Sequence, residues 1–309
     1  MTECFNAFSG YHVGDKLALV WGAEKDIVAH GRLGKLKRLF VSKYINKTIV
    51  LNSFSMTEND MLKFVNRINL FKPDYMLAYA QSANELAQYI KANDLVVHGF
   101  KGVITSAGTL FEDYRKTIEQ VFHCKVYNRY GSRETGLMAM ECECHDGLHI
   151  NIFSQYIELV DEAGLNIPKN SNAEGRVIVT QLTNHAMPLI RYDIGDIAQW
   201  STKECSCGRG LPLLRSVNGR TVNIFKKEDG TRIDGEYFTH LFYHLNYLKS
   251  FQVIQKKFTE IEVHLAPKEK LQAKDIESDL TILDEKIRLV MGKECNVHFL
   301  IVDEIKPTN

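Results

Sequence analysis

Between Thr57 and Tyr127, helix-period and strand-like stretches alternate with short links, and this limits the fold more than any other feature of the chain. Thr57 is placed to cap a helix, with Glu58 and Asp60 behind it, and Met61, Phe64, Val65 and Ile68 repeat at helical spacing. Pro73 ends that helix, because the residue before a proline avoids helical backbone, and Tyr75–Tyr79 resumes as a strand. Ser82 predicts the cap of a second helix, through Leu86, Tyr89 and Ile90. Gly102–Thr105 reads as a strand, Phe111–Phe122 as a helix and Cys124–Tyr127 as a strand, with Leu17–Trp21 as an earlier one. Such alternation predicts an α/β fold on a parallel sheet, whose ligands bind outside the carboxyl ends of the strands. Ser106-Ala107-Gly108-Thr109 and Tyr130–Glu134 fall there as loops.

After residue 140 the pattern changes to short strands and turns, at Ile150–Val160, Gly175–Leu182 and Pro188–Tyr192, which predict a small antiparallel or barrel-like β unit. Past Gly219 it changes again. Asp229-Gly230 predicts a hairpin, and a helix from about Glu236 to Leu245 follows. Strands at Phe251–Gln255 and Glu260–Leu265, a helix at about Ala273–Val290 and a strand at Val297–Val302 complete a small α+β domain. The expected division is a core domain over 1–218, α/β to about 140 and β-rich from 141, followed by a domain over 219–309.

Lysine plus arginine and aspartate plus glutamate are both 38, so no net charge recruits nucleic acid or an anionic membrane surface. No apolar run approaches the roughly 20 residues of a membrane span, and Met1–Gly14 lacks the basic and apolar segments of a secretory signal. Seven cysteines, an odd number, without such a signal point to a reducing, cytoplasmic compartment and to metal rather than disulfides.

Three groupings carry chemistry. Val126–Glu134 (VYNRYGSRE) ends a strand at a glycine, offers backbone N–H groups and the Ser132 hydroxyl, and places Glu134 to hold a hard cation. Asp193-Ile194-Gly195-Asp196 sets two carboxylates around a glycine, and Asp196 suits the vicinal hydroxyls of a ribose, although a plain acidic turn reads equally well. Arg220, after Gly219, suits a phosphate or ribose. Last, Cys205-Ser206-Cys207-Gly208 pairs two thiols one residue apart, with Cys142, Cys144, His145 and His149 upstream. These are more than enough donors for a four-coordinate zinc. If Asp146-Gly147 forms a two-residue hairpin, Cys144 lies opposite His149.

The order SAGT, YGSRE, RYDIGD and NGR resembles the adenylate-forming (ANL) superfamily, and within it the phenylacetate–CoA ligase and capsular-biosynthesis-ligase branch. FKPDYMLAYAQSANELAQYI, ECECHDGLHI and CSCGRGLP extend the likeness along nearly the whole chain. The resemblance implies an AMP-forming acid–thiol ligase that uses ATP and Mg2+ to make an acyl-adenylate and passes the acyl group to coenzyme A or a carrier protein. It leaves room for a homodimer. Ser106, Ala107 and Gly108 would line one face of adenine, Tyr130 the other, and Asn128 its polar edge. Gly131 and Ser132 would lie near the α-phosphate, Glu134 would hold magnesium, and Asp196 would bind the ribose with Arg220 close by. Tyr79 and Ala80 would border the acyl pocket, with core packing an equal reading. The resemblance also selects Cys142, rather than Cys144, to join His149, Cys205 and Cys207 around a structural zinc.

The chain departs from the family pattern in four places. No Ser/Thr/Gly-rich phosphate loop occurs in residues 1–50, and the lysine expected after a segment like Val302–Asn309 is absent. Val222 stands where a hinge aspartate is common, and Arg133 where threonine is common. The first two departures imply a ligase truncated at both ends, and with it an alternative: a catalytically silent, zinc-stabilised domain that binds nucleotide or a partner.

Overall fold

A computed structural model describes residues 2–22, 47–53, 56–219, 224–242, 245, 247–269 and 276–305. The chain divides into two compact units, Met1–Thr221 and Val222–Asn309.

The first unit is built on one mixed sheet. Its parallel part, in spatial order, is β2 (Thr48–Asn52), β1 (Leu17–Trp21), β3 (Tyr75–Tyr79), β4 (Gly102–Ser106) and β5 (Lys125–Ser132). Helices α2 (Glu58–Phe71), α3 (Ala80–Ala92) and α4 (Glu112–Phe122) cover one face. There Phe64, Ile68, Leu86, Ile118 and Phe122 pack on Val20, Met76, Val103 and Val126. The opposite face carries Ile104 and Tyr127, on which the amino-terminal α1 (Thr2–Asn6) sets Phe5. The α2 start follows its sequence signal: Thr57 Oγ1 accepts the Asp60 N–H at 3.2 Å, and Asp60 accepts the Thr57 N–H at 3.3 Å. Ser82 is not a cap; α3 begins at Ala80, directly off the end of β3, with Tyr79 at the cap position and Ser82 buried inside the helix.

β5 is where the sheet changes character. Its first half pairs in parallel with β4, and its second half runs antiparallel to β6 (Gly136–Glu141). Tyr130–Ser132 are therefore strand rather than loop, and only Arg133–Thr135 form the turn. Cross-strand hydrogen bonds to β6 extend the strand past the point where its own residues suggested an end. Beyond β6 follow β7 (Leu148–Ile150), β11 (Leu213–Gly219), β10 (Tyr192–Trp200), β9 (Glu174–Gln181) and β8 (Gln155–Val160), all antiparallel. These strands curl around a second core of Met138, Leu148, Ile157, Val177, Ile194 and Trp200. The same core takes in Tyr130, so β5 and β10 meet although β6, β7 and β11 lie between them in the sheet.

Two strand expectations are corrected here. Ile150–Val160 breaks into β7 and β8, and Pro188–Leu189 precede a strand that starts at Tyr192, so Asp193–Asp196 lie within β10 instead of after a strand. The condition that would have set Cys144 opposite His149 is not met, since Asp146-Gly147 forms no two-residue hairpin: Glu141 pairs with Leu148 and Met140 with His149, leaving residues 142–147 as a longer connection.

The second unit pairs β12 (Ile224–Lys226) with β13 (Arg232–Asp234) around Asp229-Gly230, where Gly230 has φ 83° and Asp229 Oδ1 accepts the Thr231 N–H at 2.9 Å. Helices α5 (Gly235–Phe242) and α6 (Glu277–Met291) pack with the sheet of β14 (Leu248–Lys257), β15 (Glu260–Pro267) and β16 (Asn296–Ile301). Among the described residues no helix is long and apolar enough to cross a membrane.

Candidate functional site

The carboxyl ends of the parallel strands arrive in register: Tyr79 pairs with Ser106, and Thr105 with Asn128. Beyond Ser106, which is buried, Ala107 (φ 48°) and Gly108 (φ 92°) both take left-handed backbone and turn the chain off the sheet. Left-handed backbone at a non-glycine residue costs about 1–2 kcal/mol, so Ala107 marks strain at the edge where ligands of such sheets bind.

Next to this loop, Tyr130 on β5 donates its hydroxyl to Asp196 Oδ2 on β10 at 2.8 Å. The two carboxylates of Asp193–Asp196 have separate duties. Asp193 pairs with Arg176 and accepts the Gly195 N–H at 3.0 Å, which closes a local turn. Gly195 has φ 82°, and the pairing with β9 is irregular between Asp193 and Ile197. This bulge breaks strand alternation and re-aims Asp196 at Tyr130.

The β5–β6 turn is fixed from inside. The Ser132 hydroxyl accepts the Thr135 N–H at 3.2 Å and lies 3.0 Å from the Thr135 hydroxyl, while Gln155 donates to the Thr135 carbonyl from below. Glu134 stands exposed at the tip. Gly131 is required by the hairpin itself: a Cβ there would sit 2.6 Å from the Gly136 carbonyl oxygen. Gly131→Ala is expected to lower the unfolding free energy by about 1–3 kcal/mol, read from denaturant melts, because only backbone movement relieves that overlap.

A buried group that sequence reasoning missed holds Asn128 in place. The Glu141 carboxylate accepts the Asn128 N–H at 2.8 Å and the Arg115 Nη2 at 2.7 Å, and it lies 3.2 Å from His145 Nδ1. Burial pushes this carboxyl up, but hydrogen bonding to His145, the Arg115 charge and the Asn128 N–H outweigh it, and it stays below its ordinary value. A depressed carboxyl contributes stability above its unfolded value and loses it as pH falls through the folded one. Glu141→Gln is therefore expected to lower stability by about 2 kcal/mol at neutral pH, a difference that shrinks below about pH 4 in pH-dependent melts. Glu141 and His145 stand only four residues apart, but Arg115 comes from the separate helix α4, so no local sequence pattern announces the triad.

The thiol-rich segments converge in the same unit. Ligand atoms of Cys142, His149, Cys205 and Cys207 all lie within 4.8 Å of one another. Cys142 Sγ is 3.5 Å from Cys205 Sγ, and Cys207 Sγ is 3.4 Å from His149 Nε2. A tetrahedral ion with bonds of about 2.0–2.3 Å needs ligand separations of about 3.5–3.8 Å, so the quartet fits one. Cys142 follows β6, His149 sits in β7, and Cys205 and Cys207 lie between β10 and β11. Burial pushes the Cys207 thiol up, but hydrogen bonds from Arg209 and neighbouring thiols bring it below its ordinary value, whereas burial raises Cys205. Burial and then the Arg209 charge lower His149, which favours the neutral imidazole a metal needs. Cys144 stands outside this quartet, in a second grouping with Asp146 and Cys205. Asp146 there already accepts the Ser206 N–H at 2.9 Å and its hydroxyl at 2.7 Å. Arg220 and Val222 lie outside the described residues.

Residues 225–309 match the CapK C-terminal domain family. Protein CapK of Staphylococcus aureus is 23% identical over 270 residues, 84% of this chain and 56% of that protein. Phenylacetate-coenzyme A ligase of Thermus thermophilus is 27% identical over 186 residues, 58% of this chain and 40% of that ligase. The chain thus spans about half the length of the curated relatives it matches. Among solved structures, a 2-hydroxyisobutyryl-CoA ligase in complex with 2-HIB-AMP and CoA in the thioesterification state superposes with TM-score 0.59 at 19% identity, covering 98% of this chain and 66% of that one. The same ligase in the postadenylation state gives 0.58 at 19% identity, with 98% and 65% covered.

Proposed function

We propose, from the kinship of this chain with the coenzyme A ligase-like branch of the adenylate-forming superfamily, that it binds ATP, activates a carboxylic acid as the acyl-adenylate and hands the acyl group to a thiol such as coenzyme A. The observation that carries this reading is the 2.8 Å bond from Tyr130 to Asp196. It joins the two strands whose side chains would grip adenine and ribose, and nothing in the local sequence of either strand requires that meeting.

Adenine lies between the strained Ser106–Gly108 turn and the Tyr130 ring, with Asn128 at its polar edge, held by Glu141. Asp196 accepts the ribose hydroxyls. Gly131 and Ser132 lie by the α-phosphate, and Arg220 is assigned to the same nucleotide. Glu134 would hold Mg2+, which would neutralise charge on the phosphates. The reaction is in-line attack of the carboxylate oxygen on the α-phosphorus with pyrophosphate leaving. The protein's work is to place two anions together and lower their repulsion, which needs cations and hydrogen-bond donors instead of an acid–base pair. Cys142, His149, Cys205 and Cys207 would hold Zn2+, which would be structural, since four protein ligands would leave no open position for substrate.

Exchange of labelled pyrophosphate into ATP tests the reading. Exchange that depends on an added acid, across a panel of aromatic and aliphatic carboxylates, is the expected result. AMP binding without exchange for any acid would favour a silent nucleotide-binding domain.

A further inference from the structure

Arg129 sits between Asn128 and Tyr130, yet its side chain belongs to the other side of β5. Alternation along the strand sets it with Tyr127, and its partner across the hairpin is Met140; Tyr127 and Met140 belong to the cluster that also holds Ile104 and Leu137. Tyr130 and its partner Ala139 belong instead to the barrel-like core. Because Thr105 pairs with Asn128, the next residues, Ser106 and Arg129, stand abreast at the carboxyl ends of their strands. Tyr79, paired with Ser106, continues the row, and the Trp21 ring lies 4.3 Å from that of Tyr79. The row is an aromatic wall ending in a half-buried guanidinium.

That guanidinium has no hydrogen bond or ion pair among the described residues. Four arginines nearby are engaged: Arg115 with Glu141, Arg176 with Asp193, Arg191 with Glu158 and Arg209 with Glu143. Burial lowers the pKa of Arg129, and no neighbouring carboxylate acts against it. A partly desolvated charge with no partner is unfavourable, so its presence calls for an anion from outside the chain.

We propose that Arg129 binds a second anionic group on the acid substrate, so that the acid is a dianion with an apolar or aromatic body lying along Tyr79 and Trp21. The inference rests on the nucleotide reading above, which assigns the Tyr130 side of β5 to adenine and leaves Arg129 on the opposite side. The anion is assigned to a second group rather than the reacting carboxylate, because a guanidinium clasping that carboxylate would withdraw charge from the oxygen that attacks phosphorus.

Calorimetric titration of the whole chain with AMP, and with benzoate, isophthalate, hexanoate and adipate in the presence of AMP, tests this. Each diacid is expected to bind about tenfold or more tighter than its matched monoacid. Arg129→Leu should erase that margin, Arg129→Lys should keep part of it, and AMP affinity should hold within about threefold in both. The melting temperature of Arg129→Leu should equal or exceed that of the natural chain, since an unpaired charge is replaced by an apolar side chain. AMP binding with no margin for diacids overturns the inference and leaves the nucleotide reading standing. Equal loss of AMP and acid affinity in Arg129→Leu, or a marked fall in its melting temperature, also overturns it. A diacid margin that depends on Arg129 in a chain that does not bind AMP supports the anion site and removes the nucleotide reading instead.

Discussion

Chelating the metal from this chain, or replacing Cys142 by serine, is expected to lower the melting temperature of the first unit by about 10 °C or more, equivalent to at least about 4 kcal/mol. Cys142 and His149 are fully buried and belong to the β6–β7 hairpin, while Cys205 and Cys207 come from the distant β10–β11 connection. Among the described residues β7 and β11 pair at two positions, Leu213 with His149 and Leu214 with Leu148. An ion held by these four side chains would thus tie the two halves of the curled sheet. Without it, thiols and an imidazole crowd within 4.8 Å with no cation among them. Thiols must shed protons to bind, so acidification from about pH 8 to about pH 5 should release the metal along with the stability it supplies. Metal analysis of protein purified without added zinc should find about one equivalent per chain. Protein free of metal, with a melting curve that chelator does not move, would show that the quartet is only a cluster of reduced thiols.

The second large effect is expected at Asp196. Asp196→Ala should weaken AMP binding about 100-fold or more, since a carboxylate that accepts from two ribose hydroxyls contributes two charge-assisted hydrogen bonds. The fold should survive, because the lost bond from Tyr130 is half-exposed and contributes only about 1 kcal/mol. Asp196→Asn should fall between the two, retaining one acceptor without the charge. Calorimetry with AMP, beside a melting curve for each variant, separates loss of binding from loss of structure. Undiminished AMP affinity in Asp196→Ala would remove the ribose assignment.

Where local signals were strong, the sequence was readable. Thr57 caps its helix because a hydroxyl, and a carboxylate three residues on, satisfy free N–H groups at short range. The parallel order of β3, β4 and β5 follows from helices of the right length between apolar strands. Cys142 and Cys144 could not be separated by spacing alone; the register of β6 against β7, which pairs Met140 with His149, keeps Cys144 from facing His149. Errors came where tertiary structure overrode local preference. Tyr130–Ser132 looked like loop because glycine and serine disfavour strands, yet β6 supplies the partner that keeps them extended. Ser82 looked like a cap, but the chain leaves β3 already turning into α3. Glu141 carried no signal, because its importance lies in burial beside Arg115 and His145, and burial cannot be read from an isolated glutamate.

The central claim is that the Ser106–Gly108 turn and the Tyr130–Asp196 pair embrace one adenosine. Photolabelling with 8-azido-AMP, followed by mapping of the modified peptides, measures this most directly. Saturable labelling within 106–109 or 128–132, displaced by unlabelled AMP and lost in Asp196→Ala, is the predicted result. Saturable labelling confined to other segments, or none that AMP displaces, would contradict the account.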